Sequence, residues 1–272
     1  MRIDKHTGMH HAQMWEHLSK ERDKIQEKLA TGKQINRASD DAAGMAIAVE
    51  FEKQMRSYRN AAENISAGMS ALAIADGGAG SITEMLQRQR ELAVQSANGT
   101  LNPDQRTAID KEFQSLSQEI DRVSQSSQFN GQNLLDGSSP LSDGTGKIQA
   151  GSDQQVDLPS TNLSLASLNL GSQKVDTPAD ALQALSAVDA ALGKVNASRS
   201  GQGGLTNRLE HALSNIGNQM VNTTKGLSSI EDLDYARATT DKVRFDILNH
   251  ANASALNQFN NLARSNLLSL LQ

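Results

Sequence analysis

Apolar residues recur along much of the chain at alternating steps of three and four, the spacing that keeps one face of a helix against a partner helix. The pattern is clearest within residues 104–126, at Ile109, Phe113, Leu116, Ile120 and Val123. It continues within residues 41–97, 178–197 and 205–229. The spacing therefore predicts a mainly α-helical protein, a long antiparallel helical rod held together by coiled-coil packing.

Three helix starts are marked by capping residues. Asn102 and Thr177 each precede a proline, whose missing N–H costs nothing in the first turn of a helix. Asp40 and Asp41 precede Ala42, where a polar cap and a negative charge favour a helix start. We prefer this structural role for the two aspartates over a carboxylate pair for acid–base catalysis.

The helical spacing is lost between residues 131 and 171, where Gly, Ser, Asp and Asn dominate. Within this stretch, residues 147–150 and 155–158 alternate in polarity on either side of Gly151-Ser152-Asp153. Alternation around a turn of this composition predicts a β-hairpin. It is the only β-structure that the sequence predicts. The β-hairpin region, at about residues 138–176, is expected to interrupt the otherwise helical chain.

The two ends of the chain carry apolar faces of their own, which are expected to pair as an assembly seam. Asn252 and Asn266 fall at seam positions, where a buried amide fixes the register of a coiled coil. Because isolated helices of this length are marginal in water, both ends are expected to order fully only on assembly. The seam residues are Met14, Leu18, Ile25 and Leu29 at one end and Phe245, Leu248, Leu256, Phe259 and Leu262 at the other.

Composition narrows the classes of partner. The 26 basic and 31 acidic residues give a net charge of −5. Proteins that bind nucleic acid usually carry a patch of basic residues, so this charge argues against a nucleic-acid partner. The absence of cysteine excludes disulfides and thiolate sites. No apolar run approaches the roughly 20 residues of a membrane span, and no apolar secretory signal is recognisable at the start. We therefore expect no nucleic acid, no membrane insertion, and any export to proceed without a cleaved signal peptide.

The sequence contains few candidate catalytic or metal-binding residues. His6 and His10 are four apart and could face one metal ion on a helix, with His11 and His17 nearby. A solvent-exposed or interface histidine cluster is the preferred interpretation, since neither a cysteine nor an H-E-x-x-H motif accompanies them. No Ser/His/Asp arrangement or nucleophile elbow is found. The sequence therefore predicts no catalytic residue, no metal, no cofactor and no enzyme activity.

Several stretches resemble bacterial flagellins. Residues 29–44 read LATGKQINRASDDAAG, residues 90–100 read RELAVQSANGT, residues 129–135 read FNGQNLL, and the chain ends in LLSLLQ. Each motif alone is of moderate specificity, but together they span both halves of the chain in the order that the family has. The resemblance implies a structural subunit of the flagellar filament, used for swimming motility.

The resemblance also implies an architecture and a set of partners. Residues 1–42 with 231–272 would pair as a coiled coil that lines the filament channel, and residues 43–230 would form an outer helical layer. Large outer domains are lacking, so the chain looks like a minimal flagellin. The implied location is extracellular, in the filament. The implied partners are further copies of the chain, an export chaperone and the secretion apparatus, and hook-associated and cap proteins.

A receptor contact is implied by resemblance alone. In flagellins that the vertebrate flagellin-sensing Toll-like receptor recognises, the contact patch matches Gln87, Arg88, Leu92 and Glu112 of this chain. Arginine suits such a patch because it offers a planar set of donors on an apolar stem. Leu116 stands where those flagellins often carry a further arginine, which is expected to weaken recognition.

Two alternatives stay open at this point. Met1-Arg2-Ile3 and the segment IEDLDY at residues 230–235 are also similar to the hook–filament junction protein, and residues 1–28 are more charged than the usual flagellin start. From a different class, the chain could be a soluble helical adaptor or an adhesin. That alternative predicts ordered ends and a monomer or small oligomer at all concentrations.

Overall fold

A computed structural model of the chain describes residues 5–151 and 154–270. In these residues the fold is mainly α-helical with two short antiparallel strand pairs, as the apolar spacing predicts. The helices are α1 Lys5–Thr31, α2 Ala42–Ser96, α3 Pro103–Ser126, α4 Pro140–Asp143, α5 Pro178–Glu231 and α6 Tyr235–Leu270. The strands are β1 Gln128–Phe129, β2 Gln132–Asn133, β3 Lys147–Gln149 and β4 Gln155–Asp157.

The expected caps are present at the helix starts. The Asn102 side chain accepts a hydrogen bond from the Gln105 N–H at 2.8 Å, and the Gln105 side chain accepts one from the Asn102 N–H at 3.1 Å, which completes a capping box. Asp41 accepts hydrogen bonds from the N–H groups of Ala43 and Gly44, both at 3.0 Å. The structural role preferred for this aspartate is therefore confirmed.

Helix α5 joins two segments that the apolar spacing separates. Gly201, Gly203 and Gly204 lie between the segments, and glycine lowers helix propensity by about 1 kcal/mol relative to alanine. The helix nevertheless continues, because Gln202 and Leu205 are buried and keep the same face packed through this stretch. Tertiary packing thus overrides the local preference.

The predicted β-hairpin is confirmed, and a second one accompanies it. Strands β3 and β4 pair antiparallel with Ile148 opposite Val156. Strands β1 and β2 also pair, although the sequence pattern predicts no β-structure there, so the expectation of a single hairpin is wrong. Asn130 and Gly131 connect them with φ of 50° and 76°, the backbone that an Asn-Gly hairpin turn requires.

The chain divides into two compact units. We call Met1–Met55 with Val221–Gln272 the terminal unit, and Arg56–Met220 the middle unit. The middle unit holds two clusters of buried apolar residues. One draws Leu86 from α2, Phe113 from α3 and Val188 from α5 together, and the other packs Ile148 of the hairpin with residues of α2 and α5.

Candidate assembly surface of the terminal helices

Helices α1 and α6 pack against each other within the terminal unit, as the apolar faces of the two chain ends predict. The segments that follow α1 and precede α6 are joined by backbone hydrogen bonds. The Gln34 N–H donates to the Glu231 carbonyl at 2.6 Å, and the Leu233 N–H donates to the Gly32 carbonyl at 3.0 Å. These bonds fix where the two terminal helices meet.

The same junction contains a cluster of charged side chains around Lys33 and a glycine, Gly32, whose backbone conformation disfavours other residues. Lys33 donates a hydrogen bond to Glu231 and lies 4.0 Å from Glu52. The hydrogen bond to Glu231 raises the pKa of Lys33 above its ordinary value. Gly32 has φ of +72°, and a Cβ there would lie 3.0 Å from the Tyr235 hydroxyl oxygen. Residues of the 29–44 motif therefore hold the junction between α1 and α6.

The described seam residues are all at least partly exposed in the single subunit. Met14 and Leu248 are exposed, whereas the others retain partial exposure, namely Leu18, Ile25, Leu29, Phe245 and Leu256. The side chains of Phe259 and Leu262 lie outside the described residues. Pairing of α1 with α6 therefore leaves apolar surface that a single subunit does not cover.

Further exposed apolar side chains line the terminal helices and are absent from the predicted seam. Ile247 is 62% exposed, and Val243 lies four residues before it on the same helix and is also exposed. Trp15 and Met9 are exposed on α1. Val243 and Ile247 are four residues apart and Met9 and Trp15 six apart, and none of the four lies at a predicted seam position. We refer to these residues and the seam residues together as the assembly surface.

The histidine-rich start of α1 does not form a recognisable metal site in the described residues. His10 and His17 are exposed, and the side chains of His6 and His11 lie outside the described residues. Among the residues described, no three His, Asp or Glu side chains are grouped as metal ligands. The described side chains give no support to metal binding at this end.

The patch implied by the receptor resemblance is partly assembled on the middle unit. Gln87, Arg88 and Glu112 are exposed, and the Arg88 guanidinium donates to the Glu112 carboxylate at 2.8 and 2.9 Å. Arg88 also donates to Glu91 at 3.0 Å. The hydrogen bonds that Arg88 donates to Glu112, and secondarily to Glu91, raise the pKa of Arg88. Leu92 is only 1% exposed and belongs to the core, so its expected place in a surface patch is corrected.

Comparison with known proteins identifies the family. A family model for the bacterial flagellin N-terminal helical region matches residues 9–140, and one for the C-terminal helical region matches residues 185–271. The chain belongs to the bacterial flagellin family. It is 37% identical to the flagellin of Halalkalibacterium halodurans over 241 residues, 87% of each chain. It is 35% identical to the flagellar filament 31.3 kDa core protein of Treponema maltophilum over 263 residues, 92% of each.

One solved flagellin structure agrees with the family assignment, and a second solved structure shares the fold. The crystal structure of Bacillus cereus flagellin matches with a TM-score of 0.50 at 32% identity, over 57% of this chain and 88% of the other. A putative flagellar hook-associated protein from Vibrio parahaemolyticus gives a TM-score of 0.61 at 17% identity, over 71% of this chain and 100% of the other, which shows a shared fold alone.

The family settles the broad function. Bacterial flagellins are structural proteins whose copies form the extracellular flagellar filament, and this chain is a structural subunit of that filament. Within the described residues no helix combines the length and apolar character needed to cross a bilayer.

Proposed function

We propose that this flagellin polymerises through the assembly surface of its paired terminal helices. In this proposal residues 1–42 and 231–272 form the inner layer that lines the filament channel, and residues 43–230 form the outer layer. The observation that carries the proposal is the exposed apolar surface on α1 and α6, at Trp15, Val243 and Ile247. Exposed apolar surface of this kind marks a protein–protein contact.

The energetics favour cooperative docking over a single strong contact. Burial of one large apolar side chain contributes about 1.5–3 kcal/mol, whereas association costs roughly 4–15 kcal/mol in lost motion. One pairwise contact of a few exposed residues therefore does not hold two subunits together. Several neighbours must contact the same subunit, as they do at the end of a growing filament.

A surface substitution tests the proposal. Ile247→Ser removes an apolar group that is 62% exposed, so the stability of the monomer should change by less than about 0.5 kcal/mol. Elongation of filament fragments by purified monomer should slow strongly, because each incoming subunit loses one apolar contact with its neighbours. Light scattering and electron microscopy measure the elongation.

The matched control is Leu182→Ser in the middle unit, which alters an apolar side chain that is 60% exposed on α5. We expect this variant to elongate close to the unsubstituted rate. Equal slowing by both variants, or no slowing by Ile247→Ser, would contradict the assignment of assembly to the terminal helices.

We also propose the finer context of the subunit. It would leave the cell through the flagellar secretion apparatus, without a cleaved signal peptide and with an export chaperone, and would meet hook-associated and cap proteins at the filament ends. No catalytic activity is proposed. Relatives named as flagellins and filament core proteins support the filament role over the hook–filament junction role. The junction role predicts monomer that fails to elongate fragments.

A second proposal concerns recognition by the flagellin-sensing Toll-like receptor through Gln87, Arg88 and Glu112. The support is their common exposure and the pairing of Arg88 with Glu112. Leu92 is left out of direct contact because it is buried. To bind a receptor acceptor, Arg88 would have to give up its ion pair with Glu112. A solvent-exposed ion pair contributes only about 0–1 kcal/mol to stability, so this exchange costs little.

Arg88→Ala should lower the response of receptor-bearing cells to the monomer by roughly tenfold or more, the effect of losing one interface arginine anchor. A dose–response curve measures this change. Arg122→Ala is the matched control, since Arg122 is an exposed α3 arginine paired with Glu119. An unchanged dose response for Arg88→Ala, or an equal loss for Arg122→Ala, would refute the patch.

A further inference from the structure

The loop that follows α2 carries a chemically reactive dipeptide, Asn98-Gly99. Both residues are exposed, and Asn98 Oδ1 accepts a hydrogen bond from the Thr100 N–H at 3.1 Å. The ring that this bond closes contains the Asn98 side-chain carbon Cγ and the Gly99 nitrogen. The hydrogen bond therefore holds the Asn98 side chain in an Asx turn next to the Gly99 amide. In the described part of the chain the Gly99 N–H donates no hydrogen bond.

We propose that Asn98 is a self-modification site, at which the folded chain converts this asparagine to isoaspartate. The Gly99 nitrogen attacks Asn98 Cγ, a new C–N bond forms, and the Gly99 proton passes to solvent base. The side-chain nitrogen takes up a proton and leaves as ammonia, which closes a five-membered succinimide. The Thr100 N–H stabilises the oxygen as it becomes negative in this step, and the side chain is held close to its attacker.

A buried cation next to the loop directs the second step. Arg106 of α3 is 9% exposed and donates to the main-chain carbonyls of Ser96 at 3.1 Å and Asn98 at 2.9 Å. Among the described residues no carboxylate pairs with this guanidinium. Buried arginines are normally paired with an anion, whereas the partners of Arg106 in this loop are neutral main-chain carbonyls.

Hydrolysis of the succinimide can supply that anion. When water attacks the carbon of the former Asn98 main-chain carbonyl, the ring C–N bond at that carbon breaks and a free carboxylate is left there. The chain then continues through Cβ and Cγ, which is an isoaspartyl linkage. The carboxylate includes the oxygen to which Arg106 already donates, and a charge-assisted hydrogen bond is stronger than a neutral one. Arg106 therefore favours isoaspartate over aspartate.

The chain contains its own comparison site. Asn130-Gly131 is the same dipeptide and is also exposed, but it forms the turn between β1 and β2. Within the described part of the chain, no arginine donates to its carbonyl as Arg106 does to that of Asn98. Both sites have open space at the glycine, where a Cβ would meet nothing within 4 Å. Differences in reaction rate between them therefore report on the loop geometry and not on steric access.

Peptide mapping by mass spectrometry tests the proposal on the purified full-length chain, incubated at mildly alkaline pH either folded or unfolded in urea. In the folded chain Asn98 should be lost roughly tenfold faster than Asn130, a barrier difference of about 1.4 kcal/mol. The ratio of isoaspartate to aspartate at residue 98 should be higher in the folded than in the unfolded chain. Equal rates at the two sites, or equal product ratios, would overturn the inference.

Two variants separate chemistry from folding. Gly99→Ala places a methyl group beside the attacking nitrogen, and the open surroundings accept it, so the rate at residue 98 should fall roughly tenfold with the thermal unfolding midpoint unchanged. An unchanged rate would refute attack by this nitrogen. Arg106→Lys should move the products toward aspartate; a product ratio that does not move would refute the role of the guanidinium.

Discussion

Removal of residues 244–272 is expected to abolish filament formation and to leave the middle unit folded. The deletion takes away most of α6, including Phe245 and Leu248 of the predicted seam, so α1 loses the helix against which it packs. An isolated helix of this length is marginal in water, and the assembly surface is lost with it. Electron microscopy and sedimentation after seeding with filament fragments should show no polymer.

The middle unit provides the internal control for this deletion. Every buried residue of its two apolar clusters lies between Ala61 and Ile216, outside the deleted segment. The truncated chain should therefore keep a cooperative unfolding transition close to that of the full-length chain carried through the same steps. Filaments built by the truncated chain would overturn the assignment of assembly to the terminal helices.

Phe113→Ala is expected to lower the free energy of unfolding of the middle unit by about 3–5 kcal/mol, the usual cost of deleting a buried aromatic ring. Phe113 is 0% exposed and lies where residues of α2, α3 and α5 meet in one core. Its removal leaves a cavity that three helices must close together, which limits relaxation. Urea unfolding followed by circular dichroism measures the loss.

Leu182→Ala is the matched control, because its side chain is 60% exposed on α5 while Phe113 is enclosed. Its effect on the unfolding free energy should stay within about 0.5 kcal/mol. A loss below about 1 kcal/mol for Phe113→Ala would show that the three helices do not depend on this ring, contrary to the described core.

Local chemistry made the helices and their starts predictable. A capping side chain such as Asn102 or Asp41 contacts N–H groups only two or three residues away, so its role can be inferred without knowledge of the fold. The heptad positions of α3 were equally readable, and Ile109, Phe113 and Ile120 are buried there. The family motifs added the filament role, which the relatives confirm.

Two features were not predicted from the sequence, the β1–β2 hairpin and the burial of Leu92. The hairpin strands are too short to show a pattern, and the burial of Leu92 depends on contacts between distant parts of the chain. The β1–β2 hairpin has only two residues in each strand, too few for an alternating pattern on either side of its Asn130-Gly131 turn. Arg88 and Leu92 lie four apart, on one face of an isolated helix. Packing covers Leu92 and leaves Arg88 outside, paired with Glu112 of α3.

The amino-acid sequence by itself determined that this flagellin is helical, where three of its helices begin, and that its two ends pair. These properties follow from backbone spacing and short-range hydrogen bonds. Only the tertiary structure decided which apolar residues a single subunit buries and which it leaves exposed, as with Ile247 on α6. It also placed the Arg106 cation against the Asn98 carbonyl. Both depend on which helix covers which face, and no local pattern along the chain specifies that.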